Sequence, residues 1–547
     1  MDNAPTNSLV IAIILLLSAG LGPANAAGNE PAIQIQAFSI SGAKVFEEKK
    51  LTDLLSPYLG PERRFADIQQ ALQTLQTYYQ QQGYGEALVT VPTQTLSDGI
   101  VRFTIIEPRL SRLSFDYQPQ FLKEYYPEPE ISAILPALKI GEFINSRAIA
   151  ANLQLANENP ARKLEVQLNQ ESTPGVFNGQ IKIKGLPPRK LFATLDNTGA
   201  QQTGEYRMGY GIQHANLWGE GHVASFNYIT PIDFPGRINL YSGNYRIPLP
   251  RWGDSVELLA AKSDIGATNT TTTLGDLQFA GSGEIYAASY NLILPRHGEY
   301  SQRLILGWNY KQYANNCAAN QNNSQICGTV NHNIGITPFS LGYGGQLSQT
   351  SQALSFQLAG YHNFTGLSSN SGQASFNLLR PGSGVNGAPA EYTLFKGNYN
   401  YTLNLDHDWQ FRLAGHGQYS ANPLIYVEQF GLVGSSLVRG FWEREVVRDI
   451  GFSLNQEIQT PNLAPYTGLT DMFRGFIFYD YGEGRNNLLP GEVNNFVKLS
   501  SAGFGLRLGS PQSWQLKFDG AYVLNGAASH PTGDVRGHLS FQLPYSF

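Results

Sequence analysis

The sequence predicts an all-β transmembrane protein, a 16-stranded antiparallel barrel preceded by two small α+β domains. Three observations predict it. Charged residues make up 14% of the chain, against about a quarter in ordinary soluble domains, yet beyond the N-terminal leader no apolar run reaches the ~18 residues of a membrane-spanning helix. From Arg189 onward, apolar and polar residues alternate with period two in segments of about ten residues, the pattern of strands with one lipid face and one wet face. The connections between those segments alternate between long and short, as surface loops and periplasmic turns do.

The leader, residues 1–26, carries an apolar core from Leu9 to Leu17 and a small-x-small cleavage site at Ala24-Asn25-Ala26, although Asp2 stands where a signal peptide usually has Lys or Arg. The mature chain is expected to begin near Ala27. Residues 31–107 read as β-α-α-β-β. The main helix runs from about Phe65 to Gln82, with Ile68, Leu72, Leu75 and Tyr79 on one face and Gly83 as its stop. Residues 108–186 repeat the plan, with a helix from Ser146 to Asn157 ended by Pro160. Gly185-Leu186-Pro187-Pro188 marks the boundary to the barrel domain, 189–547.

Sixteen barrel strands are expected to begin near Lys190, Gly204, His222, Arg237, Ser255, Gly283, Gln302, Asn333, Gln352, Glu391, Trp409, Asp449, Phe473, Lys498, Ser513 and Gly537. Long connections fall at 265–281, 314–331, 365–390 and 422–448. An even count leaves both barrel ends in the periplasm, on the side of the N-terminal domains. In the thirteenth strand, Ile477, Tyr479 and Tyr481 suit lipid, so Phe476, Phe478, Asp480 and Gly482 face the lumen. An inward carboxylate invites a cation, and Arg439 lies in a connection long enough to fold back into the pore. Gly440 would let the loop tip turn tightly there. The bland alternative is that both are solvated charges. Cys317 and Cys327 are the only cysteines, in a polar stretch after the seventh strand, where export favours a loop-closing disulfide.

Four segments resemble two-partner secretion transporters of the FhaC/ShlB/HecB (TpsB) family. They are Gly99–Glu107, like the closing strand of a POTRA domain; Leu195–Gly199 with Thr203-Gly204, like the first barrel hairpin; Val438-Arg439-Gly440-Phe441; and Phe478-Tyr479-Asp480-Tyr481-Gly482. Phe541, Leu543, Tyr545 and Phe547, apolar at every second position up to an aromatic end, resemble the signal by which bacterial barrels are recognised for assembly. The resemblance implies two POTRA domains in the periplasm, a barrel in the bacterial outer membrane, and an Arg439–Asp480 contact inside it. It implies secretion of a haemolysin- or adhesin-type exoprotein whose N-terminal secretion domain the POTRA domains capture. The partners it implies are that exoprotein, outer-membrane lipid and the barrel-assembly machinery. The family's plug helix is expected to be absent, since few residues separate the cleavage site from Ile33.

The rival readings are a barrel-assembly insertase, which usually has more POTRA repeats, and a solute channel or porin, which needs none. An enzyme ranks last, and no cofactor, metal or nucleic acid is expected. Gly382, Gly384 and Gly387 match G-x-G-x-x-G, but Ala388-Pro389 follows where a dinucleotide site needs a helix. There is no H-E-x-x-H, no G-x-S-x-G and no P-loop. One expectation can be checked on the exported protein directly. Alkylation without reductant, followed by mass measurement, should leave Cys317 and Cys327 unlabelled, and replacing both should leave secretion intact.

Overall fold

The computed structural model describes residues 32–96, 98–199, 204–233, 235, 239–263, 268–272, 275–279, 282–314, 333–383, 386–468, 471–493, 496–510 and 514–547. The leader, the room for a plug helix up to Gly28-Asn29-Glu30-Pro31, and both cysteines lie outside the described residues. The chain divides into two compact units, the first running to Gln81 and from Ala87 to Glu107, the second made of Gln82–Glu86 and Pro108–Phe547.

In the first unit, Ile100–Ile106 pairs in parallel with Ala37–Ser41 and antiparallel with Leu88–Thr90. The helix Phe65–Gln81 covers this sheet with Ile68, Ala71, Leu75 and Tyr79. Ala71 takes the inner place expected of Leu72, because three-residue spacing also lies on one helical face. The Tyr79 hydroxyl donates to Glu107 at 2.7 Å, and the same carboxylate accepts the Lys44 and Val45 amides. Burial, then this bond, raises the Tyr79 hydroxyl well above its ordinary value.

The second unit begins with a sheet in which Val176–Gly185 lies between Arg109–Gln118, parallel to it, and Arg162–Gln170, antiparallel. Besides the helix Ser146–Ala156, it holds two short helices, Leu122–Tyr125 and Glu128–Ile134. Pro127 stands just before the second of them and Pro129 in its first turn, where Pro is well tolerated.

The barrel closes without an edge. Its strands are β1 (Arg189–Asp196), β2 (Arg207–Leu217), β3 (His222–Pro231), β4 (Leu240–Leu249), β5 (Asp254–Ser263), β6 (Ser282–His297), β7 (Tyr300–Ala314), β8 (Ile334–Ile336 and Pro338–Ser348), β9 (Gln352–Asn363), β10 (Tyr392–Asn404), β11 (Gln410–Ser420), β12 (Ile450–Gln459), β13 (Phe473–Arg485), β14 (Val497–Gly509), β15 (Gln515–Asn525) and β16 (Val535–Ser546). Every neighbouring pair is antiparallel, and β16 returns to β1 from Ser540↔Asp196 to Ser546↔Lys190. Each strand starts within three residues of its expected position. No helix among the described residues is long and apolar enough to cross a membrane.

The α+β part of the second unit rests on the barrel's periplasmic turns. Asn152 donates to the Pro250 carbonyl at 2.9 Å, Asn159 to the Ala215 carbonyl at 2.5 Å, and Asn216 to the Tyr125 carbonyl at 3.1 Å. Arg162 is buried beside Tyr126; among the described residues its Nε and Nη1 make no hydrogen bond, and burial pulls it down to about 10.

Leu543, Tyr545 and Phe547 are exposed on the barrel's outer surface, and Phe541 pairs with Leu195 of β1. Deleting 543–547 would remove the ladder from Leu543↔Ala193 to Ser546↔Lys190. The expected outcome is loss of the compact, heat-modifiable form on gels, because unpaired backbone in a bilayer costs several kcal/mol per group.

Candidate functional site

The connection 421–449 folds inward. Phe430–Gly431 pairs with Val447–Arg448, and a tighter turn is pinned by the Gly434 amide donating to the Val438 carbonyl at 3.1 Å. Gly434 has φ +144, and a Cβ there would sit 2.3 Å from the Glu443 carboxylate, so the turn admits only glycine. Leu432, Val433, Val438 and Phe441 are buried in one apolar cluster with Leu499 of β14 and Val523 of β15. This part of the loop is thereby glued to the β14–β15 wall, while Leu424 and Ile425 pack against Tyr313, Ile334, Ile336, Tyr392 and Leu394 of β7, β8 and β10.

The wall is shaped to receive it. A side chain at Gly482 would meet Val438 Cγ2 at 2.8 Å, and one at Gly484 would meet Leu432 Cδ1 at 3.0 Å. At the loop tip, Gly440 has φ +100 and lies against Val523 and Ala521, and its amide donates to His538 Nε2 at 3.1 Å.

Arg439 stands at the centre. Its Nε and Nη2 donate to the two Asp480 oxygens at 2.7 and 2.8 Å, a fork-on-carboxylate pair, and its own backbone amide adds a third bond to Asp480 at 3.1 Å. Nη1 donates to Glu457 at 2.9 Å and lies 3.6 Å from Asp519. The guanidinium is stacked 3.6 Å over the Phe478 ring. Asp480 is wholly buried and Arg439 is 3% exposed. The strand alternation makes this possible: on β13, Ile477 and Tyr479 are exposed outside while Phe476, Phe478 and Asp480 are buried inside. Register does the rest, setting Asn455 of β12 and Ser501 of β14 beside Asp480. Arg507 of β14 also holds Asp519, at 3.1 Å, and Arg412 of β11 lies 3.8 Å from Glu457, so Arg439 shares two of its three carboxylates with other arginines.

A second network, which sequence reading missed, ties the loop at its other end. Arg380, from the connection after β9, donates to both Asp449 oxygens at 2.8 Å and to both Glu492 oxygens at 2.9 Å. It also donates to the Leu424 carbonyl, while Asp449 accepts from Gln429 at 2.9 Å. Three surface connections thus converge on one guanidinium. Glu457, Asp519 and His538 were also missed. Alternation alone could have turned them inward, but nothing short of the closed register brings them to Arg439. The G-x-G-x-x-G stretch lies just after the helix Gln373–Leu379 in the connection before β10 and opens no helix among its described residues.

Comparison with known proteins accounts for both parts of the chain. The family model for haemolysin secretion/activation protein ShlB/FhaC/HecB matches residues 180–508, and that for the ShlB-type POTRA domain matches 33–108. The heme/hemopexin transporter protein HuxB of Haemophilus influenzae strain 86-028NP is 21% identical, over 92% of this chain and 83% of the relative. The outer membrane transporter CdiB of Dickeya dadantii is 23% identical over 35% of this chain and 32% of its own length. In fold, the structure of CdiB from Escherichia coli superposes with a TM-score of 0.71 at 16% identity, covering 96% of this chain and 93% of that one. CdiB from Acinetobacter baumannii gives 0.66 at 17% identity, covering 95% and 91%. With a family model spanning the barrel through Arg439 and Asp480 and a second on the first α+β unit, the chain belongs to the ShlB/FhaC/HecB family of haemolysin secretion/activation proteins, outer-membrane β-barrel transporters of two-partner secretion.

Proposed function

We propose that this transporter secretes a large exoprotein of the haemolysin or adhesin type, and that the 421–449 loop is the gate its client must pass. In this reading the α+β units, 31–107 and 108–186, are two periplasmic POTRA domains that capture the client's N-terminal secretion domain through an added strand. The barrel, 189–547, conducts the client outward. No catalytic step and no cofactor enter; outer-membrane lipid surrounds the barrel, and the assembly machinery reads Phe541, Leu543, Tyr545 and Phe547. Cys317 and Cys327 would close a surface loop away from the lumen.

One observation carries the reading: a loop arginine, buried in the lumen, forked onto Asp480 and stacked on Phe478. Such a pair positions the loop more than it stabilises the fold, because desolvation offsets much of the attraction. Removing Arg439 is different, since Asp480 is left buried without its cation, whereas removing Asp480 leaves Arg439 only Glu457 and the more distant Asp519. That costs ~3 kcal/mol or more, which at tenfold per 1.4 kcal/mol is about a hundredfold in the ratio of docked to released loop. Val438, Gly440 and Phe441 would serve the same gate by holding the tip in its apolar seat, and Gly482 by leaving room for it.

Arg439→Ala and Asp480→Ala should each cut release of the exoprotein into the medium, with heat-modifiable mobility confirming an assembled barrel. Arg439→Lys should restore secretion only in part, since an ammonium has no fork for the carboxylate and stacks poorly on Phe478. Normal secretion by both alanine variants would refute the gate and favour a passive channel. Gly482→Val offers a check that leaves every charge in place. The added methyls meet Val438, so secretion should fall as in Arg439→Ala while the ion-pair residues remain.

A further inference from the structure

The lumen has two unlike sides. The loop tip and the Arg439 ion pairs occupy the wall from β12 to β16, while nearer the loop's start Leu424, Ile425 and Glu428 pack on β7, β8 and β10. The facing wall, β6 to β10, borders a cavity of about 850 Å³ lined by Ser289, Asn309, Ser340, Gln357 and Asn398 among others. Its charges gather toward the periplasmic end, where Glu257 and Arg303 stand near the starts of β5 and β7. Between these charges and Lys311 of β7, which is paired with Glu428 of the loop at 2.8 Å, the wall is lined by amides and hydroxyls and suits an extended polypeptide. It offers donors and acceptors to any backbone and no fixed charge that would favour one sequence over another.

The helix Ser146–Ala156 packs against β6 at this end, and its Ala150, Leu153 and Gln154 line the same cavity. On β6 at this end Ser289 Oγ and Asn291 Nδ2, and on the adjoining β4 and β5 Asn244 Nδ2 and Ser255 Oγ, are sealed from solvent with no hydrogen-bond partner among the described residues. Buried donors left unpaired are unfavourable, so the resting contact is one that a better hydrogen-bonding occupant would displace. Besides the Asn152 and Asn159 bonds to the turns, the helix is held by charge. Just beyond its C-terminus, Glu158 pairs with Arg246 of β4 and lies 3.3 Å from Arg303 of β7. Arg246 is also 3.4 Å from Glu257, so it keeps a carboxylate when Glu158 leaves, and Arg303 is already 38% exposed. Release of Glu158 therefore strands no buried cation.

We propose that the β6–β10 wall is the surface along which an unfolded polypeptide passes, and that Glu158 latches the helix over its periplasmic entrance until the client arrives. The inference rests on the secretion reading above, and the test is chosen to need no client. The full-length protein, with both cysteines replaced, is placed in planar bilayers in potassium chloride, and Ser289→Cys is probed with a cationic methanethiosulfonate reagent. In the otherwise native protein the Ser289→Cys thiol should stay unreactive and the current small. Adding Glu158→Gln should raise the current severalfold and make the thiol reactive. Glu165→Gln, which removes an exposed pair with Lys184 on the same α+β fold, should change neither. Reduced and alkylated α-lactalbumin, an unfolded chain, added on the helix side should then block the enlarged current. Unchanged current and an unreactive thiol in Glu158→Gln would overturn the latch. A larger current that the unfolded chain does not block would overturn the polypeptide path and leave an ion route. Secretion by the native protein in cells tests the function itself separately, so the two failures are distinguishable.

Discussion

A chain that crosses a bilayer as strands can leave no backbone amide or carbonyl unpaired in the hydrocarbon, and this one meets that demand at the seam where β16 joins β1. Much else follows from that closure. Sixteen antiparallel strands return the chain to the side it started from, so both barrel ends lie with the α+β region. Closure also fixes the register all the way round, which is why residues from β12, β13 and β15 can meet one loop side chain at hydrogen-bond distance. An open sheet of the same sequence could slip by a residue and turn Asp480 toward lipid.

Inside the closed wall, two kinds of contact hold the 421–449 loop. Apolar burial of Leu432, Val433, Val438 and Phe441 supplies non-directional adhesion, while Arg439 and Arg380 set position at its tip and its base. The division is physically sensible. Adhesion alone would let the loop slide over Leu499 and Val523, whereas a forked pair tolerates one geometry. The glycines at 482 and 484 belong to the same device, since they carve the shallow trough in which the loop's valine and leucine sit.

Much of this was legible in the sequence because period-two alternation over ten residues is a strong signal. It located all sixteen strands and turned Asp480 inward from the character of its neighbours, Ile477 and Tyr479, alone. What stayed hidden depends on more than one strand. Glu457 and Asp519 join Arg439 only once the cross-strand register exists, and Arg380 reaches Asp449 and Glu492 only because three connections fold over one rim. The helix at Glu128–Ile134 was hidden for a local reason, its prolines falling where a helix can begin. Leu72 and Ala71 differ by one position on a helix whose spacing admits either.

The seclusion of Arg439 has a consequence for the environment the protein can tolerate. An outer membrane faces whatever salinity its surroundings impose, and exposed ion pairs weaken as salt rises, the screening length falling from about 10 Å at 0.1 M to about 3 Å at 1 M. With Asp480 wholly buried and Phe478 over the guanidinium, mobile ions screen this pair far less than an exposed one. The seat of the loop tip is thus less sensitive to dilution or brine than an exposed ion pair would make it.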